Sequence, residues 1–253
     1  MNRVLLGDCL DLLWRLDDES VDLVTADLPY GLTQNRWDQK IDVELLWEHY
    51  GRIIKPRGVI ALTAQGVFGA ELIVAAKELY RYSMVWKKNK TGGFLNVHRQ
   101  PLRTHEDIHI FYRKQPRYTP IKTQGHAPTH AFTKHTSDGS NYGQTKRGIS
   151  NKGGRTDRYP TSILEIPVVN NDDPIRVHSV QKPVELGAWF IRSFTRPGDL
   201  VVDNACGSGA FLVAAKRLGR RFWGCDIDPE SVRNARSWLR RTRVAPVQNA
   251  SDH

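Results

Sequence analysis

Asp199-Leu200-Val201-Val202-Asp203-Asn204-Ala205-Cys206-Gly207-Ser208-Gly209-Ala210-Phe211 is the stretch whose reading settles the architecture. A short apolar run ending at a turn signal reads as a buried strand over 199–203. Glycines in the turn let the backbone approach a ligand where any Cβ would clash. Leu212, Val213, Ala214, Ala215 and Leu218 then continue as a helix. A second strand, Arg221 to Asp226, ends in an acid, and an acid about 20 residues beyond such a turn suits a ribose hydroxyl pair. The dinucleotide fingerprint G-x-G-x-x-G begins here, but Leu212 stands where its third glycine belongs. That disfavours a nicotinamide oxidoreductase and leaves another nucleotide cofactor.

The second decisive fragment lies far upstream. Val21-Asp22-Leu23-Val24-Thr25-Ala26 runs as a strand into Asp27-Leu28-Pro29-Tyr30-Gly31. A carboxylate, a stiff turn and a flat ring at one strand end fit a planar ring that bears an exocyclic amine. The tetrapeptide resembles the (Asp/Asn/Ser)-Pro-Pro-(Tyr/Phe/Trp) signature of amino-group DNA methyltransferases, with Leu28 in place of the first proline. Asp203 to Phe211 resembles that family's motif I for S-adenosylmethionine (AdoMet). With the catalytic half first and the AdoMet half last, the order is similar to the permuted beta group.

The resemblance covers roughly residues 1–112 and 160–243, and it implies specific roles. Asp27, Leu28, Pro29 and Tyr30 would be catalytic. AdoMet would be held by Asp8 and Cys9 after the opening strand, and by His178, Gln181, Lys182 and Pro183 of a His-Pro-x-Gln-Lys-Pro-like run. Asp203, Ala205, Cys206, Gly207, Gly209, Ala210, Phe211, Asp226 and Ile227 complete the cofactor set. Thr33 to Asp38, containing Trp37, resembles the loop that closes near a flipped base.

Charge locates a partner. The chain carries a net +10, and residues 87–158 hold 15 Lys/Arg against 4 Asp/Glu, a balance of +11. The remainder balances at −1. Localised positive charge is what a phosphate surface requires. Lys87, Lys88, Lys90, Arg99, Arg103, Lys134, Lys146, Arg147, Lys152 and Arg155 are the expected DNA contacts. From Lys114 to Arg158 only Ile121 and Ile149 are large aliphatics, so this stretch cannot fill a core of its own. It reads as an inserted target-recognition region, using Arg, Lys, Asn and Gln on base edges. The bland alternative is a flexible basic loop. His126, His130 and His135 have no cysteine or acid cluster beside them, and no metal is expected.

Val43, Leu46, Trp47, Tyr50, Ile53 and Ile54 share one helical face, and Lys55-Pro56-Arg57-Gly58 should end that helix. Val59–Leu62, Tyr82–Trp86 and Ile108–Tyr112 read as strands. Phe68–Leu79, Leu186–Phe194 and Pro229–Arg243 read as helices, the last with Asp228 as N-cap. Alternating strands and helices predict an α/β fold with a mostly parallel sheet covered on both faces. The resemblance implies the Rossmann-like AdoMet-dependent version, seven strands with one reversed edge hairpin. Residues 1–112 form the catalytic half, 113–160 the basic insertion and 161–253 the AdoMet-binding half.

No run of 18 apolar residues and no signal-peptide core is present, so no membrane span and a cytoplasmic setting are expected. Cys9, Cys206 and Cys225 are scattered and should be reduced thiols. The implied partner is double-stranded DNA; a homodimer and a cognate restriction endonuclease remain open. By resemblance, an Asp-headed tetrapeptide accompanies adenine N6 and a Ser-headed one cytosine N4. Against adenine methylation stand cytosine-N4 methylation, methylation of RNA or a protein amide, and a silent DNA-binding protein on the same fold. Intact Asp27, Tyr30 and glycine loop argue against the last.

Overall fold

The structure is a computed structural model that describes residues 2–31, 40–134, 149–170, 172–173, 176 and 181–244. The chain begins with β1 (Arg3–Leu6), α1 (Cys9–Leu13) and β2 (Val21–Asp27), then α2 (Val43–Ile53), β3 (Ile54–Ala64) and α3 (Gly66–Ala75). A long hairpin follows, β4 (Tyr80–Gly92) and β5 (Arg103–Phe111). Short strands β6 (Phe132–Lys134), β7 (Ile149–Asn151) and β8 (Ile163–Glu165) come next. The last part alternates α4 (Val184–Phe194), β9 (Leu200–Asp203), α5 (Ala210–Arg217), β10 (Arg221–Asp226) and α6 (Pro229–Arg241).

Eight strands make one sheet in the order β1-β10-β9-β2-β3-β5-β4-β8. β5 is antiparallel to both of its neighbours, and every other pair is parallel. These are the seven strands the resemblance implies, plus β8. The reversed strand β5 lies between β3 and β4, and because β8 pairs outside β4 through Val85 to Lys87, the hairpin is not the rim of the sheet. Lys55-Pro56-Arg57-Gly58 does not separate helix from strand as expected. The strand begins at Ile54, and the pairing shifts register between Val21↔Ile54 and Leu23↔Val59. Pro56 cannot donate to a ladder, so it is accommodated in this irregularity.

Alternation along the strands sends side chains to two apolar cores. One lies under α4, α5 and α6, with Phe190, Phe211, Leu212 and Trp238. The other lies under α1, α2 and α3, with Leu13, Tyr50, Leu72 and Trp223. Asp228 caps α6, its carboxylate accepting the Ser231 N–H at 2.7 Å. Residues 113–119 stay with this main unit, Thr119 N–H donating to the Ser193 carbonyl at 2.8 Å.

Pro120–Thr161 is a second compact unit. No described residue in it is buried. Polar contacts hold it instead: β6 pairs antiparallel with β7, Lys122 reaches Asp157 at 2.7 Å, and Arg155 grips the same carboxylate.

One backbone position fixes the glycine turn against its helix. Gly209 has φ +85°, and a Cβ there would stand 2.9 Å from the Ala235 Cβ of α6. Gly209→Ala combines left-handed strain with overpacking, at a cost of about 1–3 kcal/mol. A thermal melt should show the midpoint falling about 2–4 °C per kcal/mol. An unchanged midpoint would mean that α6 yields freely.

Candidate active site

β9 and β2 lie side by side and parallel, with Leu23 opposite Val201 and Val24 opposite Val202. Their carboxyl ends therefore leave the sheet together, and Asp203 and Asp27 arrive at one rim. In open α/β sheets ligands bind outside such carboxyl ends. A cleft of about 930 Å3 opens there. Asp8 and Cys9, Asp27 to Tyr30, Gln181 and Lys182 line it with Asp203, Ala205 to Gly207, Ala210, Phe211, Asp226 and Ile227. Gly209 and Pro183 stand behind the wall as the N-caps of α5 and α4. His178, Lys146, Arg147 and the 33–38 segment with Trp37 lie outside the described residues.

Asp27 is closely held. Its Oδ1 accepts the Tyr30 hydroxyl at 2.7 Å and the Thr63 hydroxyl. Its Oδ2 meets the Lys182 ammonium at 2.8 Å. A carboxylate offers about four lone-pair positions, so one acceptor direction, on Oδ2, stays open. Lys182 also bonds Glu106 at 2.8 Å, and Lys88 pairs with the other Glu106 oxygen. Both ammoniums lie over the Trp86 ring, at 5.6 and 4.9 Å. Two cations thus alternate with two anions across the cleft wall. Burial works to raise the Glu106 carboxyl, but Lys182 and Lys88 outweigh it and hold the group below its ordinary value. Burial works to lower the Lys182 ammonium, but Asp27 and Glu106 hold it above its ordinary value. Burial, reinforced by the Asp27 and Glu106 charges, pushes the Tyr30 phenol well up, so it remains a neutral donor.

Leu28 occupies the place of the expected proline in a different way. Its side chain is 2 % exposed and packs into the core beneath α1 to α3. Packing anchors the turn where a second ring would have stiffened it.

The glycine turn forms a cradle suited to a nucleotide cofactor. Gly207 has φ +48° and nothing within 4 Å of where a Cβ would be. Asp226 Oδ2 accepts the Gly207 N–H at 2.7 Å and Oδ1 accepts the Asp228 N–H at 2.9 Å. These two bonds fix the carboxylate at the rim of the cleft, beside the glycine turn. Asn204 is buried with its Nδ2 unpartnered, while its Oδ1 accepts the Tyr50 hydroxyl at 2.6 Å. Asp8 caps α1 through the Leu10 N–H at 2.8 Å. Burial raises the Cys9 thiol to about 11, so it stays protonated, and pushes the Asp203 carboxyl well up. Open space at Gly207, carboxylates at the strand ends and the unpartnered Asn204 Nδ2 fit AdoMet.

Thr63, Glu106 and Asn204 were not singled out by sequence reasoning. Glu106 had left a signal. It shares strand parity with Ile108 and Ile110, an acid on the apolar face of β5. Of the expected DNA contacts, Lys88 and Arg103 line the cleft. Lys87 pairs with Glu165 at 2.9 Å, and Lys90 and Arg99 are exposed near the hairpin tip. Lys134, Lys152 and Arg155 belong to the second unit. Lys182, expected to touch the cofactor, lines the cleft and reaches the Asp27 carboxylate from there.

This fold and site define a class, the AdoMet-dependent methyltransferases. Residues 21–237 match the N6/N4 methyltransferase family, a DNA methylase family. The chain belongs to that DNA methylase family, and its cofactor is S-adenosylmethionine. It is 24% identical to the Type II methyltransferase M1.MboII of Moraxella bovis over 96% of this chain and 98% of that one. The PvuII DNA methyltransferase (cytosine-N4-specific) superimposes with a TM-score of 0.67 at 16% identity, covering 93% of this chain and 85% of that one. The M1.HpyAVI–SAM complex does so at 0.61 and 17%, covering 94% and 99%. Among the described residues no helix is long and apolar enough to cross a membrane.

Glu106→Gln tests the alternating charges through stability. A depressed carboxyl contributes stability above its unfolded value, and that contribution is lost as pH falls through the folded value. Removing one partner of a buried pair costs about 3–5 kcal/mol. Melts of both proteins should therefore differ at neutral pH, begin to approach each other as pH falls past the ordinary value of 4.5, and converge only below the depressed folded value. A gap that persists in acid would refute the ion-pair assignment.

Proposed function

We propose that this DNA methylase transfers a methyl group to the exocyclic N6 of an adenine flipped out of duplex DNA at a specific site. The observation that carries the reading is Asp27. Three donors fill its other positions and leave one acceptor direction on the wall of the cleft that also holds the glycine cradle. An adenine amine is a poor nucleophile because its lone pair is delocalised into the ring. Hydrogen bonds from the amine to Asp27 Oδ2 and to the Leu28 carbonyl favour the pyramidal nitrogen that can attack. Pro29 positions the turn, and Tyr30 offers its ring to the base. Lys182 holds the Asp27 carboxylate in place, and the carboxylate's negative charge faces the positive charge that develops on the nitrogen as the methyl leaves sulfur.

When bound, AdoMet supplies an activated methyl on a sulfonium. Gly207, Asp226, Asp8 and Asn204 would hold it, and the chain's task is alignment in a dry cleft. A base inside a duplex is out of reach of Asp27, hence the flipping. Adenine is assigned because an Asp-headed tetrapeptide accompanies N6 in the resembling family. The basic 87–158 segment supports duplex DNA over RNA or protein. A cognate restriction endonuclease is part of the proposal, on the Type II designation of the Moraxella bovis relative.

Asp27→Ala should lower methyl transfer by about a hundredfold or more, while calorimetry finds AdoMet affinity nearly unchanged. Mass spectrometry of nucleosides from methylated DNA should give N6-methyladenine. N4-methylcytosine alone would replace the adenine reading with the cytosine one.

Salt dependence tests the DNA surface. Log affinity for duplex should fall steeply with log salt, and replacing Lys90, Arg99 and Lys152 with Gln should flatten the slope by about 2–3. An unaltered slope would move the phosphate contacts elsewhere.

A further inference from the structure

The tip between β4 and β5 exposes apolar side chains that the main unit does not need. Phe94 is 73 % and Leu95 84 % exposed, with Val97 and Leu102 also in solvent. Contiguous apolar groups on a soluble surface mark a contact site. Two further facts say with what. Residues 87–103 carry five Lys/Arg and no Asp/Glu, a polyanion's complement. The same tip also forms the cleft wall, where Gly93, Asn96 and Gln100 face the space that Asp27 and Tyr30 enter.

We infer that Phe94 and Leu95 form an apolar wedge that enters the base stack of duplex DNA beside the target and fills the gap left when that base turns into the cleft. The inference rests on the base-flipping reading above. Extruding a base removes stacking on both sides, and an apolar side chain between base steps offsets that loss. The local backbone suits the task. A left-handed Gly93, φ +83° with open space around it, leads into a single 3-10 turn over Phe94–Asn96, which lifts both side chains clear of the sheet. Lys90 and Arg99, both exposed, lie on either side of the tip in sequence, placed for the phosphates that flank an inserted step. An acidic protein or a lipid surface would use the charge, but neither would explain why the apolar tip shares a wall with the catalytic carboxylate.

The test uses the full chain, with AdoMet, and a target mapped first on plasmid DNA. Short duplexes are then made with the target normally paired or placed opposite an abasic site, where it has no pairing partner and turns out at lower cost. Phe94→Ala/Leu95→Ala should slow methylation of the paired duplex by about ten- to a hundredfold, the range that one unstacked step represents. The abasic duplex should be methylated at close to the unaltered rate, and calorimetric AdoMet affinity should be unchanged. With 2-aminopurine at the target, the fluorescence rise on binding should shrink in the variant on the paired duplex alone. Equal loss on both duplexes, or no loss on either, overturns the wedge while DNA methylation stands. If the unaltered protein methylates no DNA at all, the flipping reading and the wedge fail together.

Discussion

The parallel pairing of β2 with β9 is the contact on which the rest depends. These strands come from opposite halves of the chain, yet they sit side by side at the centre of the sheet. A parallel pair cannot be made by a hairpin, and here β3, β4, β5 and β8 of the same sheet all intervene in sequence. The result is that the two functional turns open at one rim. One brings the Asp27 carboxylate with its three donors, and the other brings a glycine cradle. Neither half forms a complete cleft alone.

Around that junction the charges are arranged as an alternating row. Lys88, Glu106, Lys182 and Asp27 each come from a different element, and each neutralises its neighbour. A buried charge is tolerated only when paired and hydrogen-bonded, so these four define one another's positions. The cost of desolvation is met by partners, and the outcome is orientation rather than net stability. Leu28 fits the same logic from the apolar side. Its chain is buried in the core, and this holds the turn that a ring would otherwise have restricted through φ.

The second unit follows a different physics. It has no buried residue among those described, and its order comes from a short ladder and from Asp157 shared between Lys122 and Arg155. Two cations of the basic segment are thereby committed to folding. The charge excess along the sequence therefore overstates the cations that face a ligand. Lys88, deep in the cleft wall, is another example.

Local chemistry determined much of this protein before any contact was known. The strand–glycine turn–helix at 199–217, the terminal acid at Asp226 and the Asp228 cap depend on neighbouring residues alone. They were legible for that reason. The same holds for Asp27 to Tyr30, four adjacent residues that line the cleft together. Tertiary structure decided what adjacency cannot encode. Glu106 and Thr63 look like ordinary strand residues, and only the β2-β3-β5 order brings them to Asp27. Lys182 sits in a cofactor-like run, and only the tertiary structure shows that its ammonium bridges Asp27 and Glu106. The helix expected to end at Lys55 to Gly58 gave way to a strand at Ile54, because Val21 was there to pair with it. Sequence specifies the groups and their local geometry; which charges meet depends on long-range pairing, whose energy no single stretch contains.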